Sequence, residues 1–344
     1  MGLEYSSFTI GKLTRGYKNL ITDVPGVLVG HVTLHRGESV RTGVTCIKPH
    51  GGNLFCDKVM AASHVFNGYG KTAGLVQIDE LGTIEAPIVL TNTLSVGTAL
   101  TATVRYMMEQ NPEIGGSAGT VNAVVGECND GTLNDIRGLH VTEAHVREAI
   151  DACTDTFEEG AVGAGTGMCC LGFKGGIGSA SRVVSIGDRK YTVGALVLAN
   201  FGSRGRLMID GRQVGRELAK RDNAADQGSI IMILATDAPL CARQLGRVAK
   251  RAGVGLSRTG SYMGNGSGDV AIAFTTANRV PHASDCAVLH YDMLSDGHID
   301  PIFDATAEAV EEAIVSALWH AKTTTGKDGT TVRGLREVWE EIYK

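Results

Sequence analysis

Aromatic side chains are scarce in this chain: Phe, Trp and Tyr together make up 5% of its 344 residues. Its core must therefore be assembled from Val, Ile, Leu and Ala. Proline is scarce as well, at 7 residues, and charged residues reach only 20% against 43% hydrophobic ones. That balance excludes disorder as the main state. No charge of one sign dominates. The 32 basic and 37 acidic residues leave a net −5, so the basic footprint of a nucleic-acid binder is missing. There is no run of about 18 apolar residues, so no membrane span is expected. The opening residues, MGLEYSSFTIGKLTRG, lack the basic and apolar regions of a signal peptide. They fit a loose myristoylation pattern, but without the polybasic patch that stable anchoring would need.

The eight cysteines form no Cys-x-x-Cys pair. Cys169 and Cys170, if on a strand, point to opposite faces and cannot easily share a metal. Reduced thiols and a cytoplasmic address are expected. No histidine falls at ligand spacing with a cysteine or carboxylate cluster, so neither metal nor cofactor is expected. The Gly-rich run GAVGAGTGMCCLGFKGGIGSAS (160–181) lacks Gly-Lys-Ser/Thr, and no G-x-G-x-x-G joins a strand to a helix. Close backbone packing is the better reading of that run. A G-x-S-x-G nucleophile elbow is missing too.

What abounds is glycine: 46 residues, about 13% against an average near 7%. Short β segments are expected at 27–34, 43–48, 88–93 and 121–127. Helical spacing runs from Ser95 to Gln110, with Ser95 as the cap, and again over 141–153. Residues 179–200 read as a β-hairpin turning at Asp188. Between Ser203 and Gln227 charge is concentrated and no strand pattern survives, so a solvated excursion is expected. It ends at Gly228-Ser229, followed by IIMILAT, the clearest buried strand in the chain. A helix from Asp237 to Gly253, a strand over 269–276, a long amphipathic helix after Asp304 and a short one from Leu335 complete the reading. Paired strands with flanking helices, but no regular βαβ alternation, favour a layered α/β sandwich.

The junction at Gly228-Ser229 is chemically informative. If the bond before Ser229 were broken, one residue would carry both a hydroxyl and a free α-amine. The amine's ordinary pKa is about 8, which suits it as a local base for the hydroxyl. Glycine before the serine tolerates the strained backbone that an N→O acyl shift requires.

Several segments share a pattern: ITDVPGVLVGH (21–31), LTNTLSVG (90–97), LNDIRG (133–138), GAGTGM (163–168), GFKGGIGSASRVV (172–184), VLANFG (197–202), GSIIMILATDAPL (228–240) and GSGDVAIAF (266–274). In this order they resemble the L-aminopeptidase/D-esterase (DmpA-like) family, which includes the β-peptidyl aminopeptidases. The resemblance implies a four-layer αββα sandwich, akin to N-terminal-nucleophile hydrolases but differently connected. It implies a single domain over 1–344 that cuts itself at Gly228–Ser229 into chains 1–228 and 229–344. It also implies homo-oligomers that hydrolyse small peptides or amino-acid amides and esters bearing a free amine.

By motif, Ser229 matches the nucleophile and Asn200 the oxyanion donor. Ser267 and Asp269 match groups beside the nucleophile's amine. Glu127 matches an acidic residue that takes the substrate's ammonium. Asn129 stands where some members carry a tyrosine. Two alternatives stay open: an acyltransferase of the ornithine acetyltransferase type, whose nucleophile is threonine, and an unprocessed, non-catalytic oligomer.

Overall fold

Period-two alternation in the buried strands decides how the layers stack. The computed structural model describes residues 8–218 and 227–343. Its strands are β1 (Leu28–Arg36), β2 (Val40–Lys48), β3 (Asp57–Gly68), β4 (Thr83–Ile84), β5 (Ile88–Asn92), β6 (Val124–Cys128) and β7 (Cys169–Cys170). They continue as β8 (Phe173–Lys174), β9 (Gly176–Ile186), β10 (Arg189–Asn200), β11 (Gln227–Thr236), β12 (Gly266–Pro281), β13 (Thr324–Thr325) and β14 (Thr331–Val332). The helices are α1 (Leu75–Leu81), α2 (Val96–Gln110), α3 (Glu143–Asp151), α4 (Val214–Leu218), α5 (Ala242–Arg258), α6 (Asp300–His320) and α7 (Leu335–Tyr343).

Two sheets carry the fold: a four-stranded one ordered β1-β2-β5-β6 and a six-stranded one ordered β4-β3-β12-β11-β10-β9. In β11, Ile231, Ile233 and Ala235 enter the core between the sheets, while Ile230, Met232 and Leu234 enter the core under α5 and α6. Strand β12 repeats the division, with Val270, Ile272 and Phe274 on one side and Ala271 and Ala273 on the other. A strand buried on both faces reads as a continuous apolar run, which is why IIMILAT stood out. The outer face of the small sheet packs Val44, Cys46 and Val89 against Ala99 of α2 and Val146 and Ile150 of α3. The order is α2/α3, small sheet, large sheet, α5/α6. This is the αββα sandwich expected from the sequence.

One strand went unread and three expectations need correction. Strand β3 went unread because its exposure follows no clean alternation; it gains its place by pairing with β12 and β4. Ser95 stands at the N-cap of α2, but its side chain makes no capping bond. The capping side chain is that of Asn92, ahead of the 3₁₀ turn 93–95 that leads into α2; its Oδ1 accepts the N–H groups of Leu94 and Ser95, both at 3.1 Å. Helix α5 starts at Ala242 rather than Asp237, since the Asp237 carboxylate is spent on the Thr192 N–H at 2.7 Å. Helix α6 starts at Asp300 and is buried from Ala305 through Trp319, so it is a central helix and not an amphipathic one. Of the charged excursion, 204–206 form a 3₁₀ turn and 214–218 form α4. Residues 219–226 lie outside the described residues.

Candidate active site

Strand β10 ends at Asn200, and β11 returns antiparallel beside it with Ser229 opposite Asn200. On its other side β11 runs parallel to β12, with Gly228 facing Ser267, Ser229 facing Gly268 and Ile230 facing Asp269. Parallel neighbours must come from distant chain segments, so a residue near 229 meets one near 268 only through the sheet. Ser229 is buried, and its Oγ accepts the Gly268 N–H at 3.2 Å.

The chain runs through Gly228 at φ +133°, and a Cβ there would lie 2.0 Å from the Asn200 carbonyl oxygen. Only glycine fits on both counts. The Gly228–Ser229 bond is thus wedged between β10 and β12 at the large sheet's centre, two residues into β11 rather than just ahead of it.

Asn200 has its amide orientation settled by its partners. Oδ1 accepts the Cys169 N–H at 2.8 Å, and Nδ2 donates to the Asn129 carbonyl at 3.0 Å. A backbone N–H can only donate and a carbonyl can only accept, so no flip is possible. The Gly-rich turn supplies the Cys169 N–H. Lys174, fully buried, donates to the carbonyls of Gly165, Met168 and Gly175 at 3.0, 2.7 and 2.7 Å and pins that turn. Burial holds its pKa down to about 8.

Glu127 comes from the small sheet, near the end of β6 and opposite Thr91 of β5. It is 2% exposed. Its Oε1 accepts the Lys71 N–H at 2.7 Å and its Oε2 accepts the Thr93 hydroxyl. Asn129 turns its own Oδ1 to the Gly131 N–H at 2.8 Å, so its main service to the site is the carbonyl that steadies Asn200. Ser229, Asn200, Glu127 and Asn129 line one cleft of about 740 Å³.

Ser267 and Asp269 do not line it. They flank Gly268, so by strand alternation both leave the face that Gly268 shares with Ser229 Oγ. Ser267 Oγ donates to Asp269 Oδ1 at 2.6 Å, and both residues are buried. They bracket the Gly228–Ser229 bond from the neighbouring strand.

Tyr69, Lys71, Thr93 and Cys169 also line the cleft. Of these, Thr93 lay in the singled-out segment LTNTLSVG and Cys169 in the Gly-rich run 160–181, neither with a role assigned in the site. Tyr69 and Lys71 sit in NGYGKT, past the unread β3, where the only hint was an aromatic and a cation between glycines. The Cys169 thiol is pushed up by burial, which keeps it protonated and a poor rival to Ser229 as nucleophile. Burial likewise pushes the Cys128 thiol well up. Among the described residues no group of three or more His, Cys, Asp or Glu side chains is placed to hold a metal ion.

Known proteins share this arrangement of chain. The sequence model of peptidase family S58 matches residues 19–332. A Pyrococcus horikoshii OT3 protein of known crystal structure is 55% identical, with a TM-score of 0.94 over 98% of this chain and 96% of its own. The β-peptidyl aminopeptidase of Sphingosinicella microcystinivorans is 40% identical over 93% of this chain and 86% of its own. The L-aminopeptidase D-Ala-esterase/amidase of Ochrobactrum anthropi is 40% identical, with a TM-score of 0.89 over 97% of this chain and 95% of its own. It is described as a prototype of the serine aminopeptidases and a variant among the N-terminal-nucleophile hydrolase folds.

Proposed function

The chain belongs to peptidase family S58, and on that premise we propose which of its residues perform the family's chemistry. It is an aminopeptidase/amidase with a serine nucleophile, of the self-processing N-terminal-nucleophile kind, acting on peptide or amide substrates. The observation that carries the assignment is the meeting of Ser229, Asn200 and Glu127, from three strands and two sheets, in one cleft.

Processing comes first. Ser229 Oγ attacks the Gly228 carbonyl carbon, the C–N bond breaks, and an ester joins the two residues. Water then cleaves the ester, leaving a Gly228 carboxylate and a free Ser229 α-amine. Chains 1–228 and 229–344 result. In turnover the α-amine takes the hydroxyl proton as Oγ attacks the substrate carbonyl. One N–H of Asn200 Nδ2 is held by the Asn129 carbonyl; the other serves the developing oxyanion, without giving up a proton. The scissile C–N bond breaks as the proton passes to the leaving amine, and water releases the acyl group. Ser267 and Asp269 act on the α-amine from behind, where their buried hydrogen bond already stands. Glu127 receives the substrate's ammonium. No metal or cofactor takes part in these steps.

One relative is named for β-peptides, and we extend that preference to this chain: an amine-bearing residue with one extra backbone carbon, such as N-terminal β-alanine. A homo-oligomer is also proposed, supported by exposed apolar residues Val288, Leu289, Tyr291 and Met293. A cytoplasmic address is proposed from the free state of all eight cysteines. Among the described residues no helix is long and apolar enough to cross a membrane.

Intact mass after expression tests the scheme. The wild type should give two chains breaking at Gly228–Ser229, and Ser229→Ala a single uncut chain of 36.1 kDa. Two fragments from Ser229→Ala would assign the cut to another protease and end this mechanism.

A further inference from the structure

Among the described residues lining the cleft, two carry charge: Glu127 and Lys71. They are neighbours through the backbone, since the Lys71 N–H is what Glu127 Oε1 accepts. The side chains nonetheless do not neutralise each other. No ion pair to Lys71 forms among the described residues, and Glu127's oxygens are taken up by the Lys71 N–H and the Thr93 hydroxyl. The Lys71 ammonium is exposed and sits 4.8 Å from the centre of the Tyr69 ring. A cation resting on an aromatic face keeps its stem ordered while its charge stays in water. One cleft therefore holds an anion in its wall and a separate cation within reach of solvent.

We propose that this cleft is built for zwitterionic substrates: Glu127 takes the ammonium, and the Lys71 side chain takes a carboxylate on the same molecule. The inference rests on the aminopeptidase reading above and deepens it with a second recognition charge. A carboxylate reaches Lys71 from one of two places. It is either the free C-terminus of the leaving amino acid, or a group on the amine-bearing carbon of the acyl half, as in a β-aspartyl linkage. The ligand chemistry is the same, and substrates can tell the sources apart.

Two matched pairs form the experiment, each read as a ratio of kcat/KM on the processed enzyme. β-Alanyl-alanine against its carboxamide probes the leaving side. β-Aspartyl-alanine carboxamide against β-alanyl-alanine carboxamide probes the acyl side, because the two differ only by a carboxylate beside the amine. The wild type should favour the carboxylate in one pair by roughly 2- to 5-fold, as befits an exposed ammonium rather than a buried one. Salt should shrink that preference. Lys71→Met should bring the ratio close to one, and Lys71→Arg should keep it. Each ratio is internal to one preparation, so a change in the amount of active enzyme cancels. Wild-type ratios near one in both pairs overturn the inference, as does a preference that Lys71→Met leaves intact. If the wild type turns over none of the three substrates, the proposed β-residue preference falls and takes the inference in this form with it.

Discussion

Asn200 and Asp269 stand on the two strands that border Ser229, and the separate tasks proposed for them should separate in the pH profile. Activity needs the α-amine neutral, so kcat/KM should rise through its apparent pKa. A carboxylate nearby favours the ammonium and moves that rise to higher pH. Asp269→Asn should therefore move the rising limb to lower pH. Asn200→Ala should leave the limb in place and lower kcat by about 10²–10³, the usual loss for one oxyanion donor. Rate against pH for the two variants checks both statements. An unshifted Asp269→Asn beside a shifted Asn200→Ala would withdraw both roles while leaving Ser229 as nucleophile.

At the scale of elements, the packing of β9 against α6 holds the large sheet to its helical layer. Gly178 makes the contact possible, because a Cβ there would lie 2.0 Å from the Ala313 carbonyl oxygen. Beside it Arg182, fully buried, donates from Nε to Glu308 Oε2 at 2.9 Å and sits 2.6 Å from Glu312 Oε2, both on α6. A further N–H donates to the Ile10 carbonyl at 2.8 Å, so one guanidinium ties strand, helix and the first described segment together. Removing it strands two buried carboxylates. Arg182→Met should cost about 3–5 kcal/mol, read as a lower denaturant midpoint at unchanged slope. A loss below 1 kcal/mol would mean that Arg15, 2.9 Å from Glu312 Oε1, already carries the load.

For the whole molecule, the position of the proposed cut matters more than the cut itself. Strand β12 and all of β11 from Ser229 onward belong to the proposed chain 229–344, yet they lie between β3 and β10 of the other chain in the middle of one sheet. Their ladders and apolar faces hold without the peptide bond. The two processed chains should therefore co-elute in native size exclusion and part only in denaturant; separation in native buffer would contradict the topology.

Stability should also depend on pH through Glu159, which joins the segment before β9 to α6. Its Oε1 accepts the Ser179 N–H and the Ser316 hydroxyl, both at 2.6 Å. Burial pushes its pKa from the ordinary 4.5 up to about 7. The fold thus favours the protonated form, so this contribution is whole below pH 4.5 and is lost as pH climbs through 7. At about 1.4 kcal/mol per pH unit the loss approaches roughly 3 kcal/mol. Asp130, raised to about 6 by burial, adds a loss of the same sign, while His31, held down to about 4 by burial, opposes it. The difference between wild type and Glu159→Gln isolates the one group. Unfolding free energy of the variant should fall less between pH 5 and pH 8, and parallel curves would refute the assignment.

Local chemistry was legible in the residues themselves. IIMILAT declared a strand buried on both faces, and Gly228-Ser229 announced a junction between a charged segment and a core strand. Asn200, Glu127, Ser267 and Asp269 were proposed only by matching segments to those of the family the chain resembles. What local pattern cannot carry is which distant segments become neighbours. Strand β3 has no clean alternation, since its place depends on partners far along the chain. Tyr69 and Lys71 were invisible for the same reason: they reach the cleft only because β3 ends against β12, where the Tyr69 N–H donates to the Ser267 carbonyl at 3.3 Å. The buried α6 looked amphipathic, because its glutamates read as a wet face until Arg182 and Arg15 arrived to pair them. Short-range pattern thus determined the layered class of fold, while it took the resemblance of whole segments to a family to single out Ser229 as the proposed nucleophile. The pairing of strands alone decided which charges line the cleft, because contacts between residues far apart in the chain exist only after the sheets close.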